Sequence, residues 1–232
     1  MNLILKEDAI FIADSHYNKK NQEFKEILEK IEKKEIATTQ IFLLGDNFDF
    51  LCAEVTYFKI INQDIINLLN RLSNRFEIFY LEGNHDYNLS KLFPRIKVIK
   101  RENQPLILKY ENKNIAISHG DNFINWHYNL YCKIIRNSMF LKFLNILDIG
   151  FFISKKIENV LKNKNICHTL GYFEELVTKR ARNYKEDIII EGHYHQAKKF
   201  KIGEKVYINI PSLCCQKSFT RFKNETFFNE NL

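Results

Sequence analysis

The chain has 232 residues, 45% of them apolar and 27% charged, with only seven glycines and three prolines. That is enough apolar material for one sizeable domain, and it excludes a disordered chain or a collagen-like repeat. The formal net charge is +7. Residues 125–185 hold eleven Lys/Arg against four Asp/Glu, so the whole excess sits in that one segment. A basic surface confined to one segment predicts an anionic partner bound there.

The N-terminus, "MNLILKEDAIF", has only a short apolar patch before Lys6, Glu7 and Asp8. That is too little for a secretory signal. No stretch reaches 18 charge-free apolar residues, so no spanning helix is expected. Five cysteines (52, 132, 167, 214 and 215) form an odd set without a CxxC. They are expected to be free, buried thiols in a reducing cytoplasm.

In chain order, five short apolar, β-branched or aromatic runs read as buried strands: "AIFIA" (9–13), "IFLL" (41–44), "FEIFYL" (76–81), "NIAIS" (114–118) and "DIIIE" (187–191). Two helical patterns separate the first three. Residues 21–34 place Phe24, Ile27, Leu28 and Ile31 on one face. Residues 57–72 do the same with Phe58, Ile61, Ile65, Leu68, Leu69 and Leu72. Strand–helix–strand alternation predicts an α/β fold with parallel pairing and right-handed crossovers. "LILKYENKNIAIS" and "KKFKIGEKVYINI" predict antiparallel hairpins turning at Asn112-Lys113 and Gly203-Glu204.

The residues just past each strand carry the chemistry. The first run leads into Asp14-Ser-His16, the second into Gly45-Asp46-Asn-Phe-Asp49, and the third into Gly83-Asn84-His85-Asp86. The fourth leads into His119-Gly120-Asp121 and the fifth into Gly192-His193-Tyr-His195. Ligands of open α/β sheets bind at the carboxyl ends of strands. Any one of these side chains could be a cap or a turn residue. Five of the seven histidines fall in these positions, however, each within three residues of a Gly or an Asp. Burying so many imidazoles and carboxylates together without compensation would be very costly. Divalent metal is the natural compensation. A carboxylate can bridge two ions, and Asp/His/Asn sets suit Mn, Fe or Zn. Two metals sharing a site can activate water and clamp a phosphoryl oxygen, which predicts hydrolysis of a phosphate ester or anhydride.

The step from His119 to His193 is about one strand–connection unit longer than the steps before it, which predicts an insertion. Residues 138–164 are apolar on one side (Met139, Phe140, Phe143, Leu144, Leu147, Phe151, Phe152) and end in Lys155, Lys156, Lys162 and Lys164. Trp126, Tyr128 and Tyr131 sit near the start of the basic segment. Such a segment suits acyl chains and anionic headgroups, or it docks its apolar face on the domain. It is too greasy for a strand-tracking surface, and no nucleic-acid partner is expected.

Taken together, DSH (14–16), GDNFD (45–49), GNHD (83–86), HGD (119–121) and GHYH (192–195) resemble the calcineurin-like metallophosphoesterase family, in its order and over most of the chain. The resemblance implies a four-layer sandwich of two mixed β-sheets flanked by helices, in a single domain over 1–232, with a helical lid insertion at 125–185. It implies two divalent ions, with Mn2+ favoured and Fe2+ or Zn2+ also accepted. Asp14, His16 and His195 would hold the first ion, Asn84, His119 and His193 the second, and Asp46 would bridge them. His85 would face the phosphate with Asn84, while Asp49 and Asp86 would orient neighbouring ligands. Within the family, the helical insertion and the HGD motif are similar to the UDP-2,3-diacylglucosamine pyrophosphatases of lipid A assembly. That implies a UDP-linked glycolipid substrate, an anionic membrane surface as partner, and a cytoplasmic site on the inner membrane. Lys155, Lys156, Lys162, Lys164 and Trp126 would contact the substrate. His85 stands where that branch commonly has Arg, and is the pattern of the wider family. Another phosphodiesterase, nucleotide pyrophosphatase or protein phosphatase, or a non-catalytic scaffold, are the alternatives.

Overall fold

The computed structural model describes residues 3–232. One six-stranded sheet runs in the order Leu3–Ile4, Leu106–Tyr110, Lys113–Ser118, Ile188–Glu191, Lys205–Asn209, Lys198–Ile202. The other runs Thr226–Asn231, Ser218–Lys223, Ile10–Ile12, Gln40–Leu43, Glu77–Leu81, Lys97–Ile99. Both are mixed. The strands at 10–12, 40–43, 77–81 and 97–99 pair in parallel, as do those at 113–118, 188–191 and 205–209. The two expected hairpins are antiparallel. The first turns one residue earlier than its sequence suggests, at Glu111-Asn112, with Glu111 in the left-handed region (φ 50°).

The apolar runs lack alternation because each strand serves two cores. Ile10, Ile12, Ile41, Leu43, Ile78 and Tyr80 face the helices Glu23–Glu32 and Gln63–Leu72. Phe11, Phe42, Leu44, Phe79 and Leu81 face the other sheet, where Leu108, Ile115, Ile117 and Ile190 meet them. A side-chain period of two makes that division unavoidable. Phe11, Phe42 and Phe79 are register partners on three adjacent strands, and their rings stack at 4.8 Å. The helix Phe173–Ala181 covers the outer face of the first sheet through Phe173 and Val177, which meet Ile189 and Tyr207. The layers are therefore helix, sheet, sheet, helix, as the family resemblance implied.

Three details correct the sequence reading. Residues 57–72 are not one helix but two, Thr56–Ile61 and Gln63–Leu72. At the break, the Asn62 side chain donates to the Phe58 carbonyl (2.8 Å), competing with the helical ladder. The break also turns Ile61 out of the core, leaving it 37% exposed. Finally, the cysteines are not all free. Cys167 is bonded to Cys215, while Cys52, Cys132 and Cys214 are free and buried. The reason is tertiary. Residues 48 apart in sequence meet because a loop of the insertion lies on the short helix Leu213–Gln216.

Within residues 125–185, the helices Trp126–Ile135, Ser138–Leu147 and Phe152–Lys162 precede the sheet-packed helix. Side chains on the first two cap their own starts: the Tyr128 N–H donates to Asn125 and the Phe140 N–H to Asn137. The chain bends at Gly150 and Phe151, both with φ above +60°. Asp148 caps the helix that follows, accepting from the Ile153 N–H (2.7 Å). Scattered contacts tie the three helices to the domain, among them Ser138 donating to Glu54 (2.7 Å). Leu141 packs with Cys52, Val55 and Phe58, the Thr56 N–H donates to Asn145 (2.8 Å), and the Tyr57 hydroxyl donates to Glu158 (2.6 Å). Their apolar side is open to solvent: Met139, Ile146, Ile149 and Phe152 are 73–86% exposed.

Candidate active site

The carboxyl ends of five strands meet at one edge of the sandwich. The Asp14 N–H donates to the Gly45 carbonyl (3.1 Å) and the His16 N–H to the Asp46 carbonyl (3.0 Å), which fixes the first two loops against each other. The backbone is unusual here. Asp14, His16, Asp46, His193 and His195 all have φ between +42° and +65°. A left-handed conformation at a non-glycine residue costs roughly 1 kcal/mol or more, and such strain clusters at functional sites. Gly83 answers a different need. A Cβ there would meet Asp46 Oδ1 at 2.2 Å. The GNHD turn carries glycine because a carboxylate lies against its backbone.

Two groups of ligand-type atoms result, Asp14–His16–His195 and Asp46–His119–His193. In each, the atoms lie within 4.8 Å of one another. His195 Nε2 is 3.3 Å from Asp14 Oδ1, and His119 Nε2 is 3.5 Å from Asp46 Oδ2 and 3.2 Å from Asn84 Oδ1. The His16 ring packs edge-on against those of His85 and His195 at 5.0 and 5.5 Å. Neighbouring groups set the ring orientations. His119 Nδ1 donates to the Leu44 carbonyl (2.7 Å) and His195 Nδ1 to the Ile166 carbonyl (2.9 Å), so both turn Nε2 inward. His85 Nδ1 donates to the Asp49 carbonyl (2.6 Å), leaving its Nε2 for the cleft. Asp86 accepts from the N–H groups of Asp46, Asn47 and Gly83 and from the Tyr80 hydroxyl, at 2.6 to 3.0 Å. It braces the two motif loops together. Asp49 accepts from the Asn18 amide (2.8 Å) and lies 3.8 Å from His16 Nδ1.

The electrostatics suit cations. Burial pushes the Asp46 carboxyl up, but the imidazoles of His119, His85, His16 and His193 outweigh it and hold Asp46 below the usual range. Burial holds His16 down at about 3 and, with His119 beside it, His193 down at about 4. Both are therefore neutral and have lone pairs to give. Burial would lower His119 too, but Asp46, Asp121 and Asp14 raise it to about 9. A cation in place of that proton satisfies the same carboxylates. Asp14 Oδ1 and His16 Nε2 are buried without any hydrogen-bond partner. Orphaned acceptors facing one another in a mixed Asp/His/Asn set are what divalent ions would occupy. The residues fit the two ions expected of them.

Some expected contacts do not come together. The cleft, about 270 Å³, is lined by His16, Asp46, Asn84, His85, His193 and His195 on one wall. Lys164, Ile166, His168 and Tyr172 form the other. Of the expected substrate contacts only Lys164 is there. Lys162 pairs with Glu158, Lys155 donates to the Gly150 carbonyl (3.1 Å), and Trp126 stacks on His127 away from the cleft. Lys156 is exposed on the same helix.

Other residues carry weight that no motif announces. Arg136, just past the helix Trp126–Ile135, donates to the Gly83 carbonyl (2.7 Å) and so grips the GNHD turn directly. Arg101 Nε donates to Asp121 (2.8 Å), bracing the HGD loop. Gln104 accepts from the His119 N–H (2.8 Å) and donates to the Glu82 carbonyl (2.8 Å). The one signal for this set was Asp121, whose buried carboxylate needs a cation nearby. Glu82, only 2% exposed, accepts from the Leu89 N–H (3.0 Å). Burial pushes its carboxyl from 4.5 up to about 7. Glu82 is neutral in both folded and unfolded chains below about pH 4.5 and ionised in both above 7. Between them only the folded state keeps the proton, so this group's contribution to stability falls as pH rises through that window. Glu82→Gln should remove up to about 3 kcal/mol of that pH dependence. Denaturant midpoints of both proteins at pH 4.5 and 7.5 read the difference. Parallel profiles would exclude the buried proton.

A buried pair of Asp/His clusters at the strand ends of a two-sheet sandwich defines a metallophosphoesterase. The chain belongs to the calcineurin-like phosphoesterase family, whose model matches residues 9–197. It is a metal-dependent hydrolase of phosphoester or phosphoanhydride bonds with a site for two divalent ions. Among similar proteins are the UDP-2,3-diacylglucosamine hydrolases of Blochmanniella pennsylvanica and Pseudomonas fluorescens. The first is 25% identical over 83% of this chain and 81% of its own length. The second is 22% identical over 84% and 82%. That of Coxiella burnetii is 21% identical over 81% and 80%. Among solved structures, a novel archaeal phosphodiesterase shares the fold (TM-score 0.50, 11% identity, 97% of this chain and 99% of that one).

Proposed function

We propose that the chain hydrolyses the pyrophosphate bond of UDP-2,3-diacylglucosamine, giving UMP and 2,3-diacylglucosamine 1-phosphate, at a membrane surface. The observation that carries this reading is an apolar helical face, open to solvent, on an insertion whose following loop forms one wall of the metal cleft. A soluble monomer has no use for so many exposed large side chains, whereas acyl chains do. The names of the similar proteins support the same substrate. No helix among the described residues is long and apolar enough to cross a membrane, so the attachment proposed is peripheral, on the cytoplasmic side of the inner membrane.

In this reading Asp14, His16 and His195 would hold one ion, Asn84, His119 and His193 the other, and Asp46 would serve both. Mn2+ is the ion proposed. Bound together, the ions activate water and polarise the phosphoryl oxygens. The leaving phosphate oxygen needs a proton. His85 lines the cleft with Nδ1 already donating to Asp49, so in its protonated form Nε2–H points where it can be given. Lys164, on the opposite wall, offsets phosphate charge.

A second reading rests on His85, which suits phosphodiesters generally. A Mn2+-supplemented assay should compare UDP-2,3-diacylglucosamine, a dinucleotide polyphosphate and an aryl phosphodiester. UMP release from the glycolipid at the highest kcat/KM is expected. Turnover of the aryl ester without UMP release would favour the second reading. Membrane attachment has its own test. A lysine near an anionic surface contributes on the order of 1 kcal/mol, so Lys155→Glu with Lys156→Glu should lower partition onto phosphatidylglycerol vesicles at least tenfold. Unchanged sedimentation would remove the membrane-facing role.

A further inference from the structure

The segment from Asn163 to Thr169 closes one side of the cleft, yet little holds it. All of its residues except Ile166 are exposed. Beyond bonds to the helix it leaves and one within itself, its polar ties are the His195 Nδ1–H to the Ile166 carbonyl (2.9 Å) and the Gln196 amide to the His168 carbonyl (2.9 Å). The covalent tie is Cys167 to Cys215. Cys215 lies on the short helix Leu213–Gln216, which itself touches the metal site. The Gln216 amide donates to the His195 carbonyl (2.8 Å), and Ser212, at the start of that helix, donates to the Asp14 carbonyl (2.8 Å). Cys215 Sγ is 3.8 Å from His195 Nδ1. The bond therefore joins the two pieces of chain that hold His195 from either side. Cys167 is exposed, and both cysteines line a depression of about 240 Å³ that shares His168 and His195 with the catalytic cleft.

We propose that Cys167 and Cys215 are a reversible thiol-modification site, whose oxidation fastens the 163–169 segment and completes the support of His195. The reacting partner is a low-molecular-weight thiol. Its thiolate attacks the exposed Cys167 sulfur, the Cys167–Cys215 bond breaks, and Cys215 leaves as thiolate and takes a proton. A second thiol then attacks the mixed disulfide. The sum is one protein disulfide and two thiols converted to two protein thiols and one small disulfide, and oxidation is the reverse. Reduction leaves a largely exposed segment held by a few hydrogen bonds, the condition for local opening. The Ile166 carbonyl then no longer fixes the His195 ring. Loss of such an outer partner typically weakens metal binding 10- to 100-fold.

The inference rests on His195 as a metal ligand and not on the identity of the phosphate substrate, so its test uses none. The whole chain is equilibrated with reduced or oxidised glutathione. Accessible thiols are counted by alkylation, Mn2+ affinity is measured by titration, and amide exchange is followed over residues 163–170. Oxidation should remove two thiols, tighten Mn2+ about tenfold and slow exchange in the segment at least tenfold. Cys167→Ser should behave as the reduced protein in both buffers, and Cys214→Ser as the wild type. Cys214 Sγ is 3.6 Å from Cys215 Sγ, so the second variant also checks the pairing. An unchanged thiol count overturns the proposal. So does a disulfide that shifts neither affinity nor exchange by twofold, or a third metal ion held by the reduced thiols and lost in Cys214→Ser.

Discussion

Asp46→Ala is expected to lower hydrolysis by about 10³-fold or more, equivalent to roughly 4 kcal/mol of transition-state stabilisation. Metal content should fall below two ions per chain. The size follows from position. Asp46 is the carboxylate of the second cluster, and the imidazoles of His119, His85, His16 and His193 surround it. One of its oxygens faces His119 while the other accepts the His85 N–H (2.8 Å). Removing it takes away the ligand proposed to serve both ions and releases the turn that carries Asn84 and His85. Asp46→Asn keeps the bond from His85 and loses the charge, so it should fail nearly as badly. Metal analysis and turnover of an aryl phosphodiester, measured together, check both. Wild-type turnover in either variant would sink the two-ion site.

Glu191→Ala should cost about 3–5 kcal/mol of folding stability. Glu191 is fully buried and accepts two bonds from Arg180, at 2.8 and 2.6 Å, together with the hydroxyls of Tyr184, Tyr207 and Ser118. Its removal strands a buried guanidinium and two phenols, and an unpaired buried group costs more than a made bond contributes. The effect should reach the site. Arg180 also donates to the Asn122 carbonyl and side chain (both 2.9 Å), just past the HGD motif, while Glu191 directly precedes Gly192 and His193. Replacing both partners with methionine should cost much less than the single change, because no charge is left alone. Urea unfolding of the wild type and the two variants decides it. A loss under 1 kcal/mol in Glu191→Ala would show that water or another carboxylate reaches Arg180.

Legibility differed by element. The five strands were readable to within about one residue at each end, because a buried parallel strand shows itself as an uninterrupted apolar run. The Asp, Asn and His side chains that meet at the sheet edge were readable because each lies within a few residues of the end of such a run. The break at Asn62 was not. The apolar periodicity continues through it, and only the side chain's bond to Phe58 betrays it. Arg101, Arg136 and Gln104 were invisible for a different reason. Each acts on a loop 15 to 53 residues away, and nothing local marks an arginine that grips a carbonyl from one that meets solvent.

By itself the sequence determined the α/β class with its parallel pairing, the hydrolytic chemistry and the residues that meet at the strand ends. Those depend on side-chain period and on what directly follows each strand, both short-range properties. Tertiary structure decided the rest. It paired Cys167 with Cys215, turned the apolar side of the insertion towards solvent, and brought Lys164 but not Lys155, Lys156 or Trp126 to the cleft. Each of those depends on how distant segments pack, and an apolar helical stripe reads the same whether a sheet, an acyl chain or water lies against it.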